Sequence, residues 1–134
     1  MIQIDKELST AKKASLQSAK LLINQKKLVN DVISNEGRDI KLRADIESEN
    51  IIKKYIKENS DLPILAEESE ANEDLGSSFW VVDPLDGTSN YSRDFPICCI
   101  SIALIHENKI ILGVINDFNR NIIFEGSTKT PAMM

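Results

Sequence analysis

Phe79-Trp80-Val81-Val82-Asp83-Pro84-Leu85-Asp86-Gly87-Thr88-Ser89-Asn90-Tyr91 is the stretch on which the reading of this chain turns. Its first four residues form a compact apolar run of the kind that makes a buried strand. The run stops at 83–87, where Asp, Pro and Gly supply turn chemistry. Pro84 fixes one backbone dihedral, Gly87 permits close approach of other groups, and the Leu85 carbonyl is free to face the same point as the acids. The sequence thus builds an acidic cup at the end of a strand. If a short helix begins at Thr88-Ser89-Asn90, the unpaired N–H groups of its first turn face an anion lying over that cup.

A second carboxylate pair ends another apolar run, Ile64-Leu65-Ala66 leading into Glu67-Glu68. Adjacent strands lie about 5 Å apart, so if the two runs are neighbours in a sheet their terminal acids share a small volume. Acids held together raise one another's pKa or recruit a cation, and hard oxygen donors suit Mg2+ or Mn2+ better than softer metals. Taken singly, an Asp-x-x-Asp-Gly turn is an ordinary surface turn and a Glu-Glu pair an ordinary solvated one. Only their coming together makes a site. A calcium loop does not fit, because such loops alternate their acids and keep Gly sixth, whereas Gly87 is fifth from Asp83 and Pro84 is second.

Working outward, residues 5–30 place Leu8, Ala11, Leu16, Ala19, Leu22 and Ile23 at helical spacing and predict one long amphipathic helix. Asn35-Glu36-Gly37-Arg38 breaks it, and 39–43 alternates as a short strand or extended arm does. A second helix is expected over 46–59, with Asp45 capping its first turn and Ile51, Ile52, Tyr55 and Ile56 as its core stripe. Residues 70–78 read as a polar loop. Residues 97–105, 110–116 and 122–125 read as three further strands, with Asn108 and Asn119 at the turns between them. The fold class is α+β, two N-terminal helices packed on a mostly antiparallel sheet. Residues 126–134 hold no closing element, so the sheet is expected to end on an exposed edge that favours self-association.

Composition bounds the function. A chain of 134 residues with 42% hydrophobic and 28% charged residues suits one globular domain. A net charge of -5 argues against a nucleic acid polymer, whose phosphates are bound by clustered Lys and Arg. There is no basic start followed by an apolar core, and the longest apolar run, 96–105, is about half of what spans a bilayer. The expectation is a cytoplasmic protein with no membrane partner. Cys98 and Cys99, adjacent in an apolar stretch, read as buried thiols. His106, Asp117 and Arg120 read as turn residues, and Lys41 and Arg43 read either as a solvated strand face or as side chains facing phosphate.

Leu65-Ala66-Glu67-Glu68-Ser69, followed by Trp80 and the residues up to Tyr91, resembles the paired signatures of the inositol monophosphatase family of lithium-sensitive, magnesium-dependent phosphomonoesterases. Asp45, in Leu42-Arg43-Ala44-Asp45 before a helix, and Phe95-Pro96 before a strand fit the same pattern, and the similarity runs from the first helix to about Glu125. The resemblance implies the first half of a layered αβαβα sugar-phosphatase fold. It implies Mg2+ as cofactor, in two or three ions, with Mn2+ as a substitute and Li+ as inhibitor. Glu67, Asp83 and the Leu85 carbonyl would hold the first metal, and Asp83 and Asp86 the second. Thr88 would contact the attacking water, with Asp45 accepting a hydrogen bond from Thr88 and helping to take the proton. Asp45, Thr88 and Glu67 form the implied catalytic set, Asp86, Gly87, Thr88 and Ser89 the implied phosphate-binding set, and Glu68 an outer neighbour. The implied chemistry is hydrolysis of a small phosphorylated metabolite, a phosphate monoester, by metal-activated water without a phosphoenzyme.

Two departures from the family pattern matter. Its members are usually about twice this length and carry a Trp-Asp signature in their C-terminal half, whereas the one tryptophan here is Trp80. Residues 1–134 are therefore expected to form a single domain, the metal-binding N-terminal half, with the C-terminal half absent. Ile40-Lys41-Leu42-Arg43-Ala44-Asp45 is also more basic than in inositol phosphatases and resembles the bisphosphate nucleotidase branch. A 3'(2'),5'-bisphosphate nucleotidase is accordingly the alternative activity, and an inactive metal-binding or interaction domain a further one. A homo-oligomer, as a dimer, is expected in each case.

Overall fold

The computed structural model describes residues 2–26, 32–36, 39–67, 74–129 and 132–134, with only the backbone described for 32–36 and 39–41. In chain order it contains α1 (Ile4–Asn24), β1 (Val32–Glu36), β2 (Asp39–Leu42), α2 (Arg43–Asn59), β3 (Ile64–Ala66), β4 (Ser78–Asp86), α3 (Thr88–Ser92), β5 (Cys99–His106), β6 (Lys109–Asp117) and β7 (Ile122–Ser127). β1 and β2 pair as an antiparallel hairpin, and the other five strands form one sheet in the order β3-β4-β5-β6-β7. Only the β3–β4 pairing is parallel. The result is two N-terminal helices packed on a mostly antiparallel sheet, the expected class.

Strand alternation decides which face meets the helices. In β5, Ile100, Ile102 and Leu104 are fully buried while Ser101, Ala103 and Ile105 between them are half-buried. Trp80 and Val82 of β4 and Leu112 and Val114 of β6 continue that face across the sheet. α1 lies over β5 and β6, and α2 packs against α1 and β4. Glu107 and Asn108 both have positive φ, 49° and 64°, which is the two-residue turn that lets β5 and β6 keep their right-handed twist.

α1 departs from expectation in length and in register. It ends at Asn24 rather than near 30, and residues 27–30 lie outside the described residues. Leu16 and Ile23 are 46% and 53% exposed, whereas Thr10, Ala11, Ala14, Ser15, Ser18 and Ala19 are buried. Small side chains let the backbone of α1 come close to both α2 and the sheet. The Ser18 and Ser48 hydroxyls hydrogen-bond directly between the helices, and Asn116 Nδ2 of β6 donates to Ser15 Oγ at 3.2 Å. Close approach thus outweighs the larger apolar payload of leucine and isoleucine at this interface.

Two further expectations need correction. β1 lies where only a helix break was expected, so the arm over 39–43 is the second strand of a hairpin. The tail also does not leave the sheet edge bare, because Met133 and Glu125 exchange N–H···O bonds of 2.8 and 2.6 Å. Among the described residues no helix is long and apolar enough to cross a membrane.

The register of α1 is testable. Ala14→Leu should destabilise the fold by about 1–3 kcal/mol through overpacking. Leu16→Ala should change stability by less than about 0.5 kcal/mol, as an exposed substitution does. Urea unfolding of the two variants would show the reverse order if Leu16 faced the core.

Candidate metal centre

β4 does not stop at Val82 as the turn chemistry suggested. It runs on to Asp86 through an irregularity in which Asp83 pairs with Ser101 and Asp86 with Cys99. Three steps on β4 therefore oppose two on β5, the geometry of a β-bulge, and Pro84, which has no N–H to give a ladder, sits inside it. In a regular strand Asp83 would share its face with Leu85. The extra residue brings Asp86 onto the exposed side with Asp83, while Pro84 and Leu85 are both buried. The parallel pairing of Ala66 with Val82 sets Glu67, the next residue of that chain, alongside Asp83.

These groups open on one cavity of about 370 Å³, lined by Glu67, Asp83, Leu85, Asp86, Gly87 and Thr88. Burial pushes the Asp83 carboxyl above the usual carboxylate range. The nearby Asp86 and Asp45 charges push the same way, against a hydrogen bond from the Leu85 N–H. Among the described residues no three acids, cysteines or histidines are grouped closely enough to hold one ion. The expectation that Glu67, Asp83 and Asp86 meet within reach of a single ion is therefore not met by these side-chain positions. Glu68 and Ser69 lie outside the described residues.

Behind the cavity, Asp45 belongs to the first turn of α2, which begins at Arg43 instead of 46. Its carboxylate is 3% exposed and holds two neighbours, accepting from the Leu42 N–H at 2.8 Å and from the Thr88 hydroxyl at 2.9 Å. Thr88 Oγ1 also lies 3.2 Å from the Leu85 carbonyl. Ser48 lies one turn along α2 from Asp45 and donates to the Pro84 carbonyl at 2.7 Å, tying the bulge to the helix. Sequence reading missed Ser48; its i, i+3 spacing from Asp45, on one helix face, was the available signal.

Gly87 makes the next step possible. Its φ is +92°, and a Cβ there would stand 2.8 Å from the Ile97 carbonyl oxygen and 3.0 Å from Cys98 Cβ. From it starts α3, a single turn that contains Ser89 and is anchored by Tyr91, whose hydroxyl donates to the Leu22 carbonyl at 2.8 Å. Burial raises the Tyr91 pKa to about 12, so this hydroxyl stays a donor. The thiols beside the site are also held protonated. Burial raises Cys98, and burial together with the Asp86 and Asp83 charges raises Cys99 to about 11. Cys99 Sγ lies 3.8 Å from Asp86 Oδ2. Arg43 is exposed, Arg120 pairs with Asp117 at 3.7 Å, and His106 lies at the far end of β5.

The sequence profile of the inositol monophosphatase family matches residues 1–134. The inositol-1-monophosphatase of Synechocystis is 36% identical over 106 residues, which are 76% of this chain and 37% of that protein. The inositol monophosphatase structure from Anabaena superposes with a TM-score of 0.78 at 32% identity, covering 97% of this chain and 47% of that one. The Thermotoga maritima IMPase structure gives 0.82 at 27% identity, covering 99% and 51%. The chain thus spans about half or less of the length of these relatives.

Gly87→Ala tests how the cup is built. The left-handed backbone alone should cost roughly 1–3 kcal/mol, and displacement of the Ile97 carbonyl adds to it. A variant as stable as the parent in chemical denaturation would show that the turn does not depend on glycine.

Proposed function

Because this chain belongs to the inositol monophosphatase family, we propose that it carries the metal-binding part of a site that hydrolyses a small phosphate monoester with Mg2+. The observation that carries the reading is the bulge in β4, which turns Asp83 and Asp86 onto one cavity with Glu67. The donor set there fits the ion in kind, since every group on offer is a carboxylate or carbonyl oxygen and Mg2+ or Mn2+ prefers such donors. Glu67, Asp83 and the Leu85 carbonyl would hold a first cation, and Asp83 and Asp86 a second. The Leu85 oxygen keeps its lone pairs for an ion, because the single Thr88 hydroxyl proton goes to Asp45 Oδ1. When bound, the cations acidify water and stabilise the charge that develops on the phosphoryl group and its leaving alkoxide.

The protein's own part is positioning and proton handling. Thr88 Oγ1 spends its proton on Asp45 Oδ1, so its lone pairs are left to accept from a water in the cavity. A proton lost by that water passes to Thr88 as the Thr88 proton passes to Asp45, and the buried carboxylate thereby serves as the base. Gly87, Thr88 and Ser89 follow Asp86 in sequence and form the side that faces the phosphate. The relatives extend well beyond the region matched here. Inhibition by Li+ and assembly as a homodimer belong to the same reading. The basic arm that suggested a bisphosphate nucleotidase gains nothing from an exposed Arg43.

Titration of the chain and of its Asp83→Asn variant with Mg2+ in a calorimeter tests this directly. Asp83 serves both metals, so its loss should weaken binding by at least about tenfold. Equal affinity in the two proteins would remove Asp83 from the site and overturn the reading. Phosphate release from inositol 1-phosphate, compared with adenosine 3′,5′-bisphosphate, tests the substrate class, with the first expected to be preferred.

A further inference from the structure

One peptide group beside the acid cavity faces two ways. Pro84 lies in the bulge of β4 and its ring fixes φ, so the single torsion ψ of Pro84 sets the plane of the Pro84–Leu85 peptide. A trans peptide is planar, with its C=O and N–H directed to opposite sides. The Pro84 carbonyl accepts from Ser48 Oγ of α2 at 2.7 Å, and the Leu85 N–H donates to Asp83 Oδ1 at 3.3 Å. A hydroxyl in the helix layer and a carboxylate on the exposed side of the sheet are therefore held by the two ends of one rigid group.

Ser48 is placed to fix that torsion. It is fully buried, as is Pro84, so the hydroxyl and the carbonyl meet away from solvent. A hydroxyl has one proton, and that of Ser48 goes to Pro84, so in the bond between the Ser18 and Ser48 hydroxyls it is Ser18 that donates. Ser18 of α1 thereby holds Ser48 from the side opposite the bulge. Hydrogen bonds in a chain polarise one another, and donation to the Pro84 carbonyl strengthens the Leu85 N–H as a donor to Asp83. The chain runs from Ser18 through Ser48 and the Pro84–Leu85 peptide to the Asp83 carboxylate, from the helix interface to the cavity.

The consequence falls on the ion. Asp83 is the acid assigned to both cations under the metal-site reading above, on which this inference rests. Metal ligands bind better when their own hydrogen-bond partners orient them, and loss of such a partner typically weakens metal binding by about 10–100-fold. We propose that Ser48 is a positioning residue of the metal centre, acting on Asp83 through the Pro84–Leu85 peptide. Without the Ser48 hydroxyl the peptide is free to turn about ψ of Pro84, and the Leu85 N–H turns away from Asp83 with it.

Mg2+ titration of the chain, of Ser48→Ala and of Ser18→Ala, followed by calorimetry and by amide chemical shifts, separates positioning from packing. Both substitutions break the Ser18–Ser48 bond, so both should lower the midpoint of urea unfolding. Ser48→Ala alone should weaken Mg2+ binding, by about tenfold or more, whereas Ser18→Ala should keep the parent's affinity. Before Mg2+ is added, Ser48→Ala alone should also move the Leu85 amide proton upfield, as a lengthened hydrogen bond does. If Ser48→Ala does not fold, Ser48→Cys, which keeps the shape but donates weakly, takes its place with the same expected order. Parental affinity in the folded Ser48 variant, equal weakening by Ser18→Ala, or an unmoved Leu85 amide would overturn the inference and leave the metal site standing. No Mg2+ binding by the parent chain would overturn the metal-site reading and this inference with it.

Discussion

One extra residue in β4, set against β5, governs how this chain offers its acids. Without it, Asp83 and Asp86 would fall on opposite faces of the sheet, one of them directed toward the helices. With it, Pro84 and Leu85 take the buried side and both aspartates face outward beside Glu67. Bulges weaken the ladder they interrupt, so this one has to be supported from elsewhere. The support comes from α2, where Ser48 holds the Pro84 carbonyl and Asp45 holds Thr88 just beyond the bulge.

That support explains why the buried polar groups between α1, α2 and β4 form a connected set. Ser48 joins the bulge to Ser18 of α1, and Asp45 joins the hairpin arm at Leu42 to the start of α3 at Thr88. Tyr91 then fastens α3 to the end of α1 through the Leu22 carbonyl. Each of these groups is satisfied inside the protein, as burial requires. The small residues of α1 serve the same end, since only a close helix brings Ser18 within reach of Ser48. Repulsion among the acids is therefore borne by a scaffold fixed at several points.

Much of this was legible in the sequence, and the limits have physical causes. The acids at the ends of two apolar runs announced a shared site, and the parallel register of β3 on β4 brings the two ends together. The paired signatures indicated the family that the profile match establishes. The bulge was not legible, because Asp-Pro-Leu-Asp-Gly carries turn residues and local propensity ends the strand four residues early. The α1 face was misread because hydrophobic periodicity favours Leu16 and Ile23, while the interface selects alanine and serine for closeness. β2 was legible in the alternation over 39–43, whereas β1 was not, because Val32-Ile33-Ser34-Asn35-Glu36 has no alternating apolar pattern. Met133 looked like a tail because a single pair of backbone bonds leaves no mark on side-chain chemistry.

Crystals of the chain soaked in Mn2+ and measured for anomalous scattering test the metal assignment most directly. The expected result is a peak in the 370 Å³ cavity, with Glu67, Asp83 and Asp86 turned inward and oxygen ligands at about 2.1–2.2 Å. A peak at another surface, or none at Mn2+ concentrations that saturate the protein in solution, would contradict the assignment of these acids to a metal site.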